Sequence, residues 1–242
     1  MRIDVTFEQT DMEIRPAFDM IIPMDISSAS VQALLDGTIS GAYISDKVTS
    51  LRNYAFYGCS NLKEVSLPNC TGIRVYSFGY CTNIESIDLP MCTWFGGTNT
   101  FESATKLKTI NVPNLTQIYN GNRTFVSCKS LEELNAPNLT ALTNTERMFA
   151  ECESIKKISL PQIGGTTISA NTFYKCYLLE TLILGGSEIN PLANVNAFDR
   201  AGLDTENGLT IYVPDNLVDT YKTATNWTAF AGKIKPISEL GE

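Results

Sequence analysis

Seven cysteines are the residues of this 242-residue chain best suited to redox or metal chemistry. Zinc and iron–sulfur sites need closely spaced thiolates such as Cys-x-x-Cys, and the sequence contains no such pair. An odd count without paired spacing also disfavours a disulfide framework. Five cysteines instead share one repeat position that is elsewhere filled by Ala104 and Ala201: Cys59, Cys81, Cys128, Cys152 and Cys176. The sequence therefore predicts small buried thiols, with no metal site and no cofactor.

Catalysis would have to rely on carboxylates, because the chain contains no histidine. The absence of histidine removes the commonest general base and the usual activator of serine and cysteine nucleophiles. Glycoside hydrolysis needs two convergent acids, and the close pairs are Glu132 with Glu133 and Glu151 with Glu153. Adjacent strand residues point to opposite faces, so Glu132 and Glu133 should diverge. We predict that the protein is not an enzyme and has no catalytic residues.

The overall charge and hydropathy exclude two classes of partner. The net charge is −8, whereas binding to nucleic acid phosphates needs clustered Lys and Arg. No apolar run approaches the roughly 18–20 residues of a membrane helix. Acidic Asp4 and Glu8 stand where a signal peptide would have its apolar core, so no such signal is visible. We expect neither nucleic-acid binding nor membrane insertion.

An internal repeat provides the elements that would position these residues. Six copies follow the pattern Phe-x-x-Cys/Ala-x-x-Leu/Ile-x-x-apolar-x-apolar-Pro, with intervals of 22, 23, 24, 24 and 24 residues between their phenylalanines. In the sixth copy Gly185 replaces the proline, and a decayed seventh copy runs from Phe198 to Pro214. The repeat phenylalanines are Phe56, Phe78, Phe101, Phe125, Phe149 and Phe173. A period in this range is typical of leucine-rich repeats, in which stacked copies bury continuous columns of side chains.

The repeat predicts a right-handed, mainly β solenoid of about seven turns of 22–25 residues, with short parallel strands and short helical caps. Each copy supplies a strand that ends at the proline, since proline cannot donate to a ladder. The phenylalanines should form one buried column. The expected strand centres are Val65, Ile87, Ile110, Leu134, Ile158 and Leu182.

The parts outside the repeat divide the chain further. We expect an N-terminal arm or attachment segment over residues 1–25, an N-terminal cap over 26–50, the solenoid over 51–214 and a C-terminal cap over 215–242. The N-terminal cap should contain a helix over 31–37 and extended entry strands at 38–39 and 48–51. In the C-terminal cap, Asp215 is the expected N-cap of a helix that places Leu217, Tyr221 and Ala224 on one face.

One exposed repeat position alternates in charge. It reads Lys63, Glu85, Lys108, Glu132, Lys156 and Glu180. Because stacked strands lie about 5 Å apart, we expect each lysine to lie between two glutamates in an inter-repeat ladder of ion pairs.

The repeat motif, best matched at residues 55–59 (Ala-Phe-Tyr-Gly-Cys), resembles the BspA-like leucine-rich-repeat family over about residues 45–214. That resemblance implies a non-catalytic adhesin, because BspA-like proteins are reported to bind host matrix proteins or other bacteria. Residues 7–11 and 16–18 resemble, over a shorter stretch, the N-terminal segments of prophage-encoded structural proteins. The alternative for residues 1–25 is a disordered or strand-swapping tail.

The segments that vary between copies lie just before each repeat phenylalanine. They contain the candidate recognition residues Asn99, Tyr119, Asn120, Asn122, Arg123, Asn144 and Arg147. Asn, Tyr and Arg are among the residue types that adaptable recognition surfaces favour, and the variable loops of a solenoid often form its binding face. The alternative is ordinary turn chemistry, which also selects Asn and Gly.

We expect a recognition or adhesion protein, encoded by a phage or prophage and associated with the virion, that binds a protein or glycan on a host cell surface. Residues 1–25 are the candidate contact to other virion proteins. The alternative is a bacterial cell-surface or secreted adhesin. The expected location is accordingly the virion, the extracellular space or the cell surface.

Overall fold

The computed structural model describes residues 2–4, 41–44, 46 and 48–241. The predicted helix over 31–37, the predicted strand at 38–39 and most of the N-terminal arm lie outside these residues. Within the arm, residues 2–4 form a strand.

The chain winds into a stack of turns whose strands form two parallel rows, and among the described residues only the turns over 62–142 contribute a strand to both. The first row holds β1 (Arg2–Asp4), β2 (Gly41–Ile44), β3 (Leu62–Ser66), β5 (Ser86–Asp88), β7 (Thr109–Asn111), β9 (Glu133–Asn135), β11 (Lys157–Leu160), β12 (Thr181–Leu184), β13 (Thr210–Val213) and β14 (Ile234–Pro236). The second row holds β4 (Gly72–Ile73), β6 (Trp94–Phe95), β8 (Gln117–Ile118) and β10 (Ala141–Leu142). The first row divides into two five-stranded sheets between β7 and β9, and the second row is one four-stranded sheet.

The register of the first row follows the repeat. Val65 pairs with Ile87, and Ile87 pairs with Ile110. Further along the row, Leu134 pairs with Ile158, which pairs in turn with Leu182. All six predicted strand centres therefore lie in strands, and the predicted parallel solenoid is confirmed. The proline after most strands ends the ladder because it has no N–H to donate.

Stacked phenylalanine rings form the core of the solenoid. Phe56, Phe78, Phe101, Phe125, Phe149 and Phe173 are each at most 1% exposed. Their ring planes are nearly parallel, and the stack continues to Phe198 with centroid separations of 5.0–5.8 Å. The predicted column is confirmed. One turn alone would expose its ring, so the burial that stabilises the fold comes from neighbouring turns.

A third hydrogen-bond ladder runs along the phenylalanine side of the stack. The backbone N–H of Phe56 donates to Ser77 O at 2.7 Å, and that of Phe101 donates to Thr124 O at 2.8 Å. The residue two positions before each repeat phenylalanine is left-handed in all six copies, although none of these residues is glycine: Tyr54, Tyr76, Asn99, Arg123, Arg147 and Asn171. The backbone reversal that turns each phenylalanine inward therefore fixes this conformation, and the side chain at that position is free to vary.

Aromatic residues also close the C-terminal end. A 3-10 helix (Asp215–Leu217) leads into α1 (Val218–Thr223), and a second 3-10 helix (Trp227–Lys233) precedes β14. Phe230 packs on Phe198 with a centroid separation of 4.8 Å, which covers the end of the phenylalanine column. Shorter 3-10 helices span Val195–Phe198 and Ile237–Glu239.

The predicted role of Asp215 as a helix N-cap is wrong. Asp215 is the first residue of a 3-10 helix rather than the cap of α1, whose N-cap is Leu217. The Asp215 carboxylate instead accepts the backbone N–H of Ser238 at 3.1 Å, which ties the last segment to the cap. This contact spans 23 residues, so local sequence does not reveal it.

The row of residues at the exposed repeat position whose charge alternates, from Lys63 to Glu180, forms one ion pair rather than the expected ladder. Within that row, only Lys108 and Glu85 form an ion pair, at 3.4 Å. Both side chains are about half-exposed, so solvation competes with each contact and long side chains need not adopt one geometry. In the part of the chain that the structure describes, no helix is long and apolar enough to cross a membrane.

Candidate recognition surface

The cysteines lie inside the solenoid, as the repeat predicts. All seven are free and buried. Burial raises the pKa of the Cys59 and Cys92 thiols to about 12 and that of Cys70 to about 11. Reactive cysteines need a lowered pKa and access to solvent, so these thiols are poor nucleophiles. No group of three or more His, Cys, Asp or Glu among the described residues is placed to hold a metal ion.

Six thiols donate to backbone carbonyls, which the sequence did not predict, and in four of them the carbonyl belongs to the preceding turn. Cys81 Sγ donates to Phe56 O one turn earlier at 2.9 Å, and Cys128 Sγ donates to Phe101 O at 3.1 Å. Cys152 and Cys176 repeat this contact with Phe125 O and Phe149 O. The cysteine column is therefore small and apolar, and it also links adjacent turns through weak hydrogen bonds.

The acids considered for catalysis are separated or engaged with other groups. Glu151 accepts a hydrogen bond from Ser127 Oγ at 2.9 Å, whereas Glu153 pairs with Lys129 Nζ at 2.9 Å. Glu133 lies on β9, and the side chains of both Glu132 and Glu133 are exposed to solvent.

Two of the candidate recognition residues surround a buried carboxylate. Glu102 is 3% exposed; its Oε2 accepts from Asn99 Nδ2 and its Oε1 accepts from Arg123 Nη2. The hydrogen bond to Glu102 raises the pKa of the Arg123 guanidinium. Asn99 and Arg123 thus satisfy Glu102, which would otherwise be a costly buried charge.

Four other candidates have turn geometry or limited access. Asn120 Oδ1 accepts the backbone N–H of Asn122 at 3.2 Å, and Asn144 Oδ1 accepts that of Glu146 at 3.3 Å. Both contacts are the local side-chain to backbone bonds that asparagine makes in turns. Arg147 has a left-handed backbone, and its buried Nε has no hydrogen-bond partner among the described residues.

Tyr119, the remaining candidate, belongs to a surface group at the second row of strands, in which Arg74 and Tyr119 are exposed and Trp94 is half-buried. We call Arg74, Trp94 and Tyr119 the aromatic surface. Tyr119 is 54% exposed, and its ring meets the edge of Trp94 with a centroid separation of 6.2 Å. The Arg74 guanidinium carbon lies 5.2 Å from the Trp94 ring centroid, within the range of a cation–π contact.

Two glycines make room for the indole of Trp94. A Cβ atom added at Gly72, on the adjacent strand β4, would lie 2.0 Å from Trp94 Cε2. A Cβ atom added at Gly96 would lie 2.5 Å from Trp94 Cζ3. The indole therefore lies flat across the neighbouring strand, in space that any larger residue would occupy.

An open groove lies beside the aromatic surface. It has a volume of about 470 Å³ and is lined by Met91, Thr93, Asn114, Thr116, Asn138 and Thr140. Each threonine hydroxyl donates to the carbonyl of the matching threonine one turn earlier, as Thr116 Oγ1 does to Thr93 O at 3.0 Å. Asn114 and Asn138 likewise donate to proline carbonyls at 2.8 Å.

The sequence did not identify Arg74, Trp94 or the groove. Trp94 occupies a repeat position that holds Gly72, Gln117 and Ala141 in other copies, as the strand register shows. A large aromatic residue in a column of small or polar residues was the signal that could have found it. A second aromatic group, in which Tyr57 meets the rings of Tyr54, Tyr76 and Tyr80 edge-on, lies near the first copy.

Comparison with known proteins supports the assignment from the repeat. The profile of the BspA type leucine-rich-repeat region matches six copies over residues 28–145 and 97–205. Among solved structures, the chain is similar to a leucine-rich-repeat protein of T. pallidum, with a TM-score of 0.56 and 21% identity over 80% of this chain and 85% of that one.

Two further structures show weaker similarity. A leucine-rich-repeat protein of Bacteroides ovatus has a TM-score of 0.37 and 18% identity over 82% of this chain and 61% of that one. A leucine-rich cell surface protein of Faecalibacterium prausnitzii has a TM-score of 0.24 and 16% identity over 72% and 78%. No curated protein matches the chain. Since the family profile covers well over half of the sequence, and the strands and phenylalanine column follow its period, this chain belongs to the BspA-type leucine-rich-repeat family.

Proposed function

We propose that the protein is a non-catalytic recognition module that binds a host-surface macromolecule through the aromatic surface and the adjoining groove. The observation that carries this proposal is the exposed ring of Tyr119 against the half-buried indole of Trp94, which also lies under the exposed Arg74. Rigid aromatic side chains and arginine contribute most of the energy in many binding surfaces. Of the candidate recognition residues, Tyr119 and the exposed Asn144 are best placed to reach a partner.

Binding of the full chain to purified bacterial envelopes tests the proposal. We expect Tyr119→Ala to weaken binding at least tenfold because it removes exposed contact area, and Trp94→Ala to do the same because Trp94 supports Tyr119 and Arg74. Leu203→Ala is the matched control, since Leu203 is 66% exposed and lies away from this surface. Unchanged binding by both aromatic variants would refute the proposal.

We further propose that the module is displayed on a virion encoded by a phage or prophage, with residues 1–25 as the attachment segment. Detection of the chain in purified particles by mass spectrometry would support this location, and its absence from particles whose genome encodes it would contradict it.

The second candidate is a bacterial cell-surface or secreted adhesin, which membership of the BspA-type family favours. Cell fractionation distinguishes the two, since an adhesin should be found in the surface or secreted fraction of cells that produce no particles.

A further inference from the structure

We infer that the ligand of this surface is a polysaccharide with sparse carboxylate groups, an inference that rests on the proposed function. The argument combines three observations: an arginine that has no acidic partner among the described residues, an exposed tyrosine packed on a half-buried tryptophan, and a groove rich in hydrogen-bond acceptors.

Arg74 supplies the positive charge. It is exposed, and its guanidinium makes no ion pair with any described carboxylate and lies over the Trp94 ring. A guanidinium above an aromatic ring keeps its N–H groups at the edge, where they can bind a carboxylate with two parallel hydrogen bonds. The chain carries a net charge of −8, so a single free arginine suits a ligand with widely spaced charges rather than a densely sulfated polymer.

Tyr119, which is 54% exposed, supplies the ring face for a sugar, and the half-buried Trp94 supports it. The C–H bonds of a pyranose carry partial positive charge, which is attracted to the negative face of an aromatic ring. Gly72 and Gly96 leave room for the indole against the strands, so it forms a platform under Arg74 and beside Tyr119 that holds both side chains in place. The side chain of Gln117, which follows Trp94 in the strand register, adds an amide beside this platform.

The groove selects for a ligand rich in donors. Thr93, Thr116 and Thr140 already use their hydroxyl protons within the protein, so their oxygens can only accept from a ligand. Asn114 and Asn138 each use one amide N–H on a proline carbonyl, which leaves one N–H donor and the side-chain oxygen with its two lone pairs, so acceptors outnumber donors in the groove. Sugar hydroxyl groups supply the missing donors.

An acidic peptide fits less well. Its backbone offers one N–H per residue, and its carboxylates add only acceptors. Peptide hot spots also fill desolvated pockets, whereas this groove is open and lined by hydroxyl and amide groups. Equivalent threonine and asparagine side chains of the groove recur about every 5 Å along the stack. A linear polymer that lies along the solenoid axis would therefore meet the same hydroxyl and amide groups at successive turns.

The test measures binding of the full chain to immobilised polygalacturonate, alginate and hyaluronan. The matched polymer is polygalacturonate with its carboxyl groups reduced to hydroxymethyl groups. Polyglutamate and dextran sulfate serve as the peptide and dense-anion probes. We expect Arg74→Gln to weaken binding to at least one uronate polymer tenfold or more, since it removes a charge-assisted bidentate contact. The same variant should weaken binding to the reduced polymer much less, because that polymer has no carboxylate for the guanidinium to bind.

Two further variants separate the aromatic and groove contributions. Gly72→Ala should displace the Trp94 indole and weaken binding to both forms of polygalacturonate. Gly232→Ala should have no effect, because a Cβ atom there meets nothing within 4 Å. Thr116→Val should also weaken binding to both forms, and the melting temperature of each variant shows whether it is folded.

Three results would overturn the inference. The first is that the protein binds none of the uronate polymers, and the second is that it binds polyglutamate or dextran sulfate equally well. The third is that Arg74→Gln leaves binding to the uronate polymers unchanged. If Trp94→Ala still loses envelope binding in those cases, the proposed function stands and only the ligand class is wrong. If the aromatic variants bind envelopes normally, the proposed function itself fails.

Discussion

The buried cysteine column should limit the stability of this protein at alkaline pH. In the unfolded chain the thiols titrate near pH 8.5. In the folded chain burial raises the pKa of Cys59 to about 12 and raises the pKa values of Cys81, Cys128, Cys152 and Cys176 well above the usual value. The folded state therefore holds protons that the unfolded state releases. The stability that depends on these thiols is complete below about pH 8.5 and is lost as the pH rises toward the folded values.

The size of the effect follows from the number of protons. Above the unfolded pKa, each pH unit lowers the free energy of unfolding by about 1.4 kcal/mol per buried thiol. The five thiols of the column together contribute about 7 kcal/mol per unit, which is comparable with the whole stability of a typical domain, about 5–15 kcal/mol. The wild-type chain should therefore unfold near pH 10.

Replacing the column cysteines by alanine tests this reasoning. The column already accepts Ala104, which is fully buried. We expect Cys128→Ala to reduce the slope of unfolding free energy against pH by about 1.4 kcal/mol per unit between pH 9 and 10. The fivefold variant should lose most of the slope, although its stability at pH 7 is lower. Urea titrations in reducing buffer, followed by tryptophan fluorescence, measure both quantities. Equal slopes in the wild type and both variants would refute the argument, because other titrating groups are common to all three.

Three further predictions follow from the same structure. Phe125→Ala should cost about 3–5 kcal/mol in urea unfolding, since its ring stacks on Phe101 and Phe149 at 5.1 and 5.4 Å; a loss below about 1 kcal/mol, no larger than that of Leu203→Ala, would contradict the column. A thiol reagent should label few of the seven cysteines in the native protein and all of them in denaturant, and rapid native labelling of most would show that the column is not interior. Hydrogen bonding from Ser238 lowers the pKa of Asp215, so the stability from this contact is present above the unfolded pKa and falls as acid protonates the folded carboxylate. Asp215→Asn should therefore flatten the dependence of the unfolding free energy on acid pH. An unchanged pH profile would show that Asp215 does not stabilise the cap.

The solenoid could be predicted because its buried positions repeat. In the columns of Phe125 and Leu134, each of the remaining turns carries a similar residue. Each copy is therefore an independent observation of the same environment. Stacking then requires parallel strands, because equivalent residues of successive turns must lie side by side.

Prediction failed where contacts depend on one copy or on long-range geometry. Asp215 has the residue type of an N-cap, yet its carboxylate reaches Ser238 in the last segment instead. In the row that contains Lys108 and Glu85, the charges alternate as an ion-pair ladder requires. Exposed side chains, however, gain too little free energy from pairing to stay in one geometry. The left-handed turn positions were missed because residues as different as Tyr54 and Arg147 occupy them.

The candidate surface shows why function is harder to read than fold in such a repeat. Selection for stacking makes the columns uniform, so a binding residue is visible only as an exception to its own column. Tyr119 was found because it lies in a segment that varies visibly. Trp94 was overlooked because its neighbours Thr93 and Phe95 obey the repeat, and only comparison with Gly72 one turn earlier shows that the position is unusual.

The pairing of Gly72 with Trp94 is itself informative, since an indole that lies flat on the adjacent strand needs both residues. An exposed large residue beside a glycine of the adjacent turn is therefore a sequence pattern that can point to binding surfaces in other proteins of this architecture.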